Sequence, residues 1–193
     1  MSIASTGSRV TCALILATAM ASCSGVGGID TASVSPISND DTFAMLGYLW
    51  GGARSAITNK REPSDGTFNL PLSYQLPCTR GGQGAYQGTL SGTKAGGAGS
   101  GTLALTGTLT ECRFDDRTTI TTISASGFTV TGTIAIANDT YGAISIKMIA
   151  SNVTVNGVTC PGGINVMLTG ASPSAPPIST GTACARTGAV PLP

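Results

Sequence analysis

The sequence predicts a mainly β protein, an antiparallel up-and-down meander of about 7–9 strands with one N-terminal helix packed on it. Apolar residues alternate with threonine and other small polar residues over most of the chain beyond Thr67, a pattern typical of strands that bury one face. Short turn signals rich in Gly, Asn and Asp separate these runs, and no helical pattern lies between them. The meander fits either a strongly curved sheet or a partial barrel.

The alternation is clearest in four segments, which are 103–109, 128–136, 144–148 and 164–168. Leu, Ile, Val, Met and Phe occupy one face of each segment, and Thr, Ser and Asn occupy much of the other. Antiparallel strands with one buried and one wet face produce this pattern, whereas parallel strands are usually buried on both faces.

Two details of the strand region give local predictions. The apolar positions change from even to odd numbers between Met148 and Val153, so a bulge near residues 150–152 is expected if 143–155 forms one strand. The Gly-rich stretch 92–101 lacks the strand-to-helix context of a phosphate loop and is interpreted as a flexible hairpin tip.

Residues 41–57 have a helical pattern instead. Apolar side chains recur at spacings of three, four and seven residues, which places them on one helical face; they are Phe43, Leu46, Trp50 and Ile57. Ser38, with Asp41 three residues later, resembles a capping box. Three glycines oppose the helix, because each costs about 1 kcal/mol relative to Ala; they are Gly47, Gly51 and Gly52. Trp50 is expected in the core, the alternative being an exposed aromatic at a membrane or partner surface.

The first 22 residues have the layout of a secretory signal peptide. Arg9 supplies one positive charge, residues 10–20 are mainly apolar and uncharged, and small residues follow. The apolar run is too short for a transmembrane helix, which needs about 20 residues. Cleavage after Ala21 would follow an A-x-A-like site. Cleavage before Cys23 would use Met20-Ala21-Ser22-Cys23, which resembles the bacterial lipobox with Met20 in place of the usual Leu.

The cysteine count favours cleavage before Cys23 and attachment of lipid to its thiol. Cys12 leaves with the signal peptide in either case. If Cys23 carries lipid, an even number of cysteines remains to form two disulfides in an oxidising compartment. These cysteines are Cys78, Cys112, Cys160 and Cys184. Pairing of sequence neighbours, 78 with 112 and 160 with 184, is the simplest of the three possible connectivities.

The predicted organisation is a signal peptide (1–22), a flexible Gly/Ser-rich tether (23–40) and a single β domain (41–190). Beyond residue 22 the chain has nine Lys/Arg and nine Asp/Glu, so its formal net charge is zero. Charged residues make up only 10% of the chain, and Lys and Arg are not clustered as phosphate binding requires. We therefore expect no nucleic-acid partner.

The composition removes most catalytic chemistries. The chain has no histidine, which excludes Ser-His-Asp triads, Cys-His dyads and imidazole metal sites. Carboxylates are the remaining option, because three of them lie close together and could serve a glycan hydrolase; they are Glu111, Asp115 and Asp116. Calcium at Asp115 and Asp116, or at Asn138 and Asp139, is an alternative, but no loop has the spaced oxygen ligands of a recognisable site. A solvated turn with ion pairs to Arg113 and Arg117 explains the same charges. We therefore predict no catalytic residue, no metal and no cofactor.

Three segments, together with the lipobox-like start, resemble a known group of proteins. The segments are PCTRGGQGAYQGTLSG at 77–92, GTLALTGTLTECRFDD at 101–116 and VTVNGVTCPGGINVMLTG at 153–170. They resemble Gly/Thr-rich β lipoproteins of unknown function from Gram-negative bacteria. The likeness covers most of 66–187 and rests on composition and rhythm. It implies a secreted, disulfide-bearing β protein and assigns no functional residue.

Similarity to known lipoproteins also implies a location, whereas the anchor, the tether, the sheet and the lack of catalytic groups indicate a role. Ser24 stands where the inner-membrane retention signal usually has Asp, which favours the outer membrane over a soluble secreted or periplasmic form. We expect a non-enzymatic envelope protein, anchored through Cys23, with a structural or protein-binding role. The alternative is a carrier that holds a lipid or other apolar ligand in the concave face of the sheet.

Overall fold

The structure is a computed structural model and describes residues 35–116 and 119–192. One helix, α1 (Asn39–Thr58), precedes ten strands. The strands are β1 (Gly66–Leu76), β2 (Gln83–Ala95), β3 (Ala98–Asp116), β4 (Thr119–Ala137), β5 (Thr140–Ala150), β6 (Asn152–Val155), β7 (Val158–Thr159), β8 (Ile164–Gly170), β9 (Ile178–Ala183) and β10 (Arg186–Pro191). The predicted fold class is confirmed, with one strand more than the upper estimate because β7 contains only two residues.

Helix α1 begins where the capping signal predicts. The Ser38 hydroxyl accepts a hydrogen bond from the Asp41 amide at 3.0 Å and donates one to the Asp41 carboxylate at 2.6 Å. This arrangement satisfies an amide that has no partner inside the helix. The helix starts two residues before the predicted 41–57 segment and ends one residue after it, a difference usual for helix ends.

The strands form one antiparallel sheet that follows chain order. Strands β1 to β5 pair in sequence, and β8, β9 and β10 continue the sheet from β5. Strand β6 pairs with the first half of β4, and β7 pairs with β6 across the Asn156-Gly157 turn. The sheet is a meander that does not close into a barrel.

In the central strands, the buried residues change between odd-numbered and even-numbered positions along a line that we name the crease. The crease runs through Glu111 on β3, Gly127 on β4 and Ser151 between β5 and β6. Buried positions on β4 are odd-numbered before the crease and even-numbered after it, and β3 and the β5–β6 segment change from one parity to the other as well. Glu111 and Gly127 have positive φ, 45° and 63°. The bulge expected near 150–152 is therefore correctly located, but the change is shared by three adjacent strands.

The inner face of the sheet is filled by side chains. Helix α1 packs on it with Met45, Leu49 and Trp50 fully buried. Across the sheet, Tyr86, Gly107 and Phe128 lie in register on β2, β3 and β4. The Phe128 ring occupies the space above Gly107, where an added Cβ would lie 2.1 Å from it. Its centroid is 5.3 Å from the Tyr86 ring in an edge-to-face arrangement that aromatic pairs prefer.

The Gly-rich stretch 92–101 contains the turn of the β2–β3 hairpin, as the sequence predicts, but most of its residues belong to the two strands. Only Gly96 and Gly97 form the turn, and both have positive φ. Strands β2 and β3 include the rest. The other glycines serve close packing, since a Cβ on Gly92 would lie 2.0 Å from the Ser100 carbonyl oxygen.

Ion pairs hold this hairpin in place. The Lys94 side chain is only 7% exposed and forms ion pairs with Asp139 and, at 3.8 Å, with Asp65. Its ammonium also donates to the Pro63 carbonyl oxygen at 2.9 Å. Lys94 therefore joins the β2–β3 hairpin to the α1–β1 loop and to the β4–β5 turn.

The described end of the predicted tether is packed. Ile37 is 3% exposed, and its carbonyl oxygen accepts hydrogen bonds from Nε (3.1 Å) and Nη2 of Arg186. Residues 35–40 of the predicted 23–40 tether thus belong to the folded domain. Residues 1–34 lie outside the described part of the chain.

Candidate functional site: a groove between the helix and the last strands

A groove with a volume of about 190 Å³ lies between the start of α1 and strands β8 to β10. We name it the α1–β10 groove. Its walls are Asn39, Thr42, Phe43, Leu46, Val166, Ser179, Gly181, Ala183, Arg186, Thr187 and Gly188. Phe43 is half-buried, because the first two turns of the helix stand over a part of the sheet with few large side chains.

Small residues create the space beneath the helix. Gly181 on β9 lies opposite Gly188 on β10 and Val166 on β8. A Cβ added at Gly188 would have no atom within 4 Å, and the φ of Gly188 is not in the left-handed region. The groove is therefore open because a side chain is missing from an edge strand, and a larger residue could occupy that space without backbone strain.

Arg186 supplies positive charge at one end of the groove. Its guanidinium carries five N–H donors, and the Ile37 carbonyl oxygen accepts bonds from Nε and Nη2. Among the described residues it has no carboxylate within ion-pair distance. The remaining donors are available to a further acceptor.

Ser179 lies at the other end. The residue is 3% exposed and lines the groove. Its hydroxyl is not among the buried side-chain atoms without a hydrogen-bond partner, which in the described residues are Trp50 Nε1 and Thr121 Oγ1.

The four downstream cysteines form two pairs, which are those that the sequence favours. Cys78 and Cys112 are separated by 34 residues, with Cα atoms 5.1 Å apart. Cys160 and Cys184 are separated by 24 residues, with Cα atoms 4.5 Å apart. Both Cα distances lie in the range of disulfide bonds. Cys23 lies outside the described residues.

The carboxylates considered for catalysis are engaged in exposed ion pairs. Both oxygens of Asp115 accept hydrogen bonds from Nε of Arg80, at 2.8 and 2.9 Å. Glu111 lies 3.9 Å from Arg113, and both side chains are exposed. The structure therefore does not place the Glu111 and Asp115 carboxylates together in a cleft. Arg117 and the side chain of Asp116 lie outside what is described.

A second depression lies at the crease. It has a volume of about 410 Å³ and is lined mainly by small polar side chains, together with Leu109, Ala125 and Val153. Ser124, one of the polar residues, accepts a hydrogen bond from the Glu111 amide at 2.9 Å. Five large apolar side chains of the described residues are exposed, which are Ile120, Ile149, Val158, Met167 and Ile178.

No group of three or more Cys, Asp or Glu side chains in 35–116 and 119–192 is arranged to hold a metal ion. The single helix α1 is not long and apolar enough to cross a membrane.

Comparisons with protein-family models, with curated proteins and with solved structures give no match. The interpretation of the molecule therefore depends on its own residues.

Sequence reasoning missed the α1–β10 groove. Ser179 and Arg186 are ordinary strand residues in the sequence, and they face the same space only because β9 and β10 form a hairpin under the helix. Gly188 was the available signal, since a glycine inside a strand often marks close approach or open space.

Proposed function

We propose that the chain is a bacterial lipoprotein, anchored to the cell envelope through lipid on Cys23, with a structural or protein-binding role. The observation that supports this proposal most is the pairing of Cys78 with Cys112 and of Cys160 with Cys184. Disulfides persist in oxidising compartments, and these two pairs use every cysteine after Cys23. Cys23 is then the only thiol left behind the signal-like segment, at the position where a lipobox requires one.

A packed interior favours a structural or protein-binding role over an apolar carrier. The face of the sheet that α1 covers is filled by α1 and by a continuous set of buried side chains. The α1–β10 groove, at about 190 Å³, is smaller than the 300–1,000 Å³ typical of sites for drug-sized ligands. A lipid chain in the concave face would have to displace Trp50, Leu49 or Met45.

The absence of histidine and the ion pairs of Glu111 and Asp115 support a non-enzymatic role. Outer-membrane attachment is part of the proposal, because Ser24 follows Cys23 in place of Asp.

Photo-crosslinking in intact cells tests the protein-binding role. A photoreactive residue would replace one exposed threonine at a time on three strands spread across the sheet, Thr89, Thr131 and Thr180. We expect at least one position to give a discrete crosslinked product that contains a single envelope protein. Wild-type protein without the photoreactive residue is the control. Irradiation that yields no product at any of the three positions would argue against a protein partner.

A further inference from the structure

We propose that the outer face of strands β5, β8 and β9, which is the face opposite α1, rests on the surface of an anionic lipid bilayer. The contact is made by three side chains that we name the apolar row, Ile149, Met167 and Ile178, together with Lys147. The inference rests on the proposed function, because lipid on Cys23 is what holds the domain beside a bilayer. It names the surface that the anchored domain turns toward the lipid.

The apolar row crosses three neighbouring strands. Strand β8 lies between β5 and β9, and Met167 on β8 is paired with Lys147 on β5 and with Thr180 on β9. Ile149 and Ile178 each lie two residues from one of these partners, so they are diagonal neighbours of Met167, about 7–8 Å away. The three side chains are 39% to 50% exposed. They therefore form one continuous apolar feature on adjacent strands.

The row points away from the packed face of the sheet. Successive side chains of a strand face opposite sides, and the chain neighbours of the row are buried. Met148 and Leu168 belong to the core that includes α1, and Ser179 lines the groove beside α1. The row is therefore on the outer face, where the domain itself supplies no hydrophobic layer to cover it among the described residues.

The charge around the row fits an anionic surface. All nine carboxylate residues of the chain lie at or before Asp139, and residues 140–193 contain only Lys147 and Arg186 as charged side chains. Lys147 is exposed on the outer face directly opposite Met167. Anionic lipids attract such a cation, and no carboxylate of β5, β8 or β9 opposes the contact. Protein surfaces usually carry charges of both signs, so this pattern favours a bilayer over a protein as the occupant.

The proposed anchor keeps the row close to the bilayer. Twelve residues separate Cys23 from Ser35, and even a fully extended chain of that length spans only about 40 Å. The Ile37 carbonyl oxygen accepts hydrogen bonds from Arg186 at the start of β10, and β10 pairs with β9, the strand that carries Ile178. The tether thus enters the domain beside the same edge of the sheet. Tethering raises the effective concentration, so a weak contact is sufficient.

The test uses residues 24–193, which lack the anchor thiol but keep every described residue, all within one compact unit. Flotation with vesicles of phosphatidylglycerol and phosphatidylethanolamine would measure the partition coefficient. We expect binding that weakens with added salt. Binding to vesicles of phosphatidylcholine alone should be at least fivefold weaker, since each Lys near an anionic surface contributes about that factor.

Two outcomes of this experiment would overturn the proposal. Equal binding to both kinds of vesicle would exclude the anionic surface as the occupant. Binding to neither would exclude a bilayer and favour a protein partner for the apolar row. Palmitate labelling reports on Cys23 alone, so failure of the anchor and failure of this contact are distinguishable.

Variants on the outer face locate the contact. Met167→Ser should weaken partitioning at least threefold, because apolar surface is no longer buried in lipid. Lys147→Gln should weaken it about fivefold on the anionic vesicles and leave it unchanged on phosphatidylcholine. Ile120→Ser is the matched control, since Ile120 is exposed but lies nine residues along β4 from Thr129, the partner of Ile149, roughly 30 Å away. Wild-type partitioning by folded Met167→Ser protein, or an equal loss in the control, would contradict the proposal.

Discussion

The Tyr86 ring on β2 lies directly against the backbone of Gly52 on α1. A Cβ added to Gly52 would lie 2.2 Å from the ring, far inside van der Waals contact. The Tyr86 hydroxyl donates a hydrogen bond to the Leu49 carbonyl oxygen at 3.0 Å. The helix therefore docks on the sheet at a glycine, where its surface has no side chain, and the neighbouring Leu49 carbonyl oxygen accepts a hydrogen bond from a buried donor.

The adjacent glycines Gly51 and Gly52 should respond to alanine in opposite directions. Gly52→Ala forces a fully buried ring to move, and such overpacking costs about 1–3 kcal/mol. Gly51→Ala meets no atom within 4 Å and should stabilise the helix by up to about 1 kcal/mol. Urea unfolding of both variants measures the difference. Equal effects of the two substitutions would contradict the proposed docking contact.

These glycines also show what the sequence could and could not predict. Gly51 and Gly52 weaken the helical pattern when they are counted by propensity alone, yet α1 extends through both. Tertiary packing decides the outcome, because helix stability in proteins depends mostly on the buried face. The apolar spacing predicted the helix and the burial of Trp50. No pattern in the sequence could indicate that Gly52 is needed to receive a side chain from β2.

The hydrogen bond of Tyr86 gives a second prediction. Burial raises the pKa of its phenol well above the usual range, so the donor remains protonated at all working pH values. Tyr86→Phe leaves the Leu49 carbonyl without this donor and should lower the free energy of unfolding by about 1–2 kcal/mol. Tyr74→Phe on β1 is the control, since it is only partly buried, and it should change stability less. A larger loss in the control would refute the assignment.

Deprotonation of the Lys94 ammonium should lower the free energy of unfolding at high pH. The hydrogen bond to Asp139 is the main cause that raises the pKa of this ammonium above its ordinary value. A raised pKa in the folded state adds stability below the unfolded pKa, about 10.4, and that stability is lost as pH rises through the folded pKa. The stability difference between wild type and Lys94→Met should therefore be constant from about pH 7 to 9 and shrink above about pH 10.5.

Denaturant unfolding across that pH range makes the measurement. Lys147→Met is the matched control, because Lys147 is exposed on the outer face and forms no ion pair with a described residue. Its effect should be small throughout. A Lys94 contribution that grows in alkali would contradict the ion-pair account.

Each disulfide should contribute substantially to stability. Loop closure over separations of 34 and 24 residues predicts about 3–4 kcal/mol for each bond. Replacing Cys160 and Cys184 together by Ala should lower the free energy of unfolding by that amount, and so should replacing Cys78 and Cys112. Intact mass under denaturing, non-reducing conditions should lie about 4 Da below that of the reduced chain. Complete alkylation without reductant would exclude both bonds.

The strand pattern explains why the sheet was predictable while the groove was not. A period of two fixes which side chains of each strand face inward, so the meander and its core follow from local sequence. The crease was visible at Met148 and Val153, but its continuation through Gly127 and Glu111 requires knowledge of which strands are neighbours. The contacts of Arg186 with Ile37 join residues 149 positions apart, and no local pattern reports such a pair.

Palmitate labelling in the native host tests the central claim most directly, because the proposed anchor depends on one thiol. The wild-type chain and the Cys12→Ala variant should both incorporate label, since Cys12 lies within the segment that cleavage removes. The Cys23→Ala variant should incorporate none and should be lost from the membrane fraction. Wild-type protein without label, or a Cys23→Ala variant that is labelled like wild type, would contradict the lipid anchor.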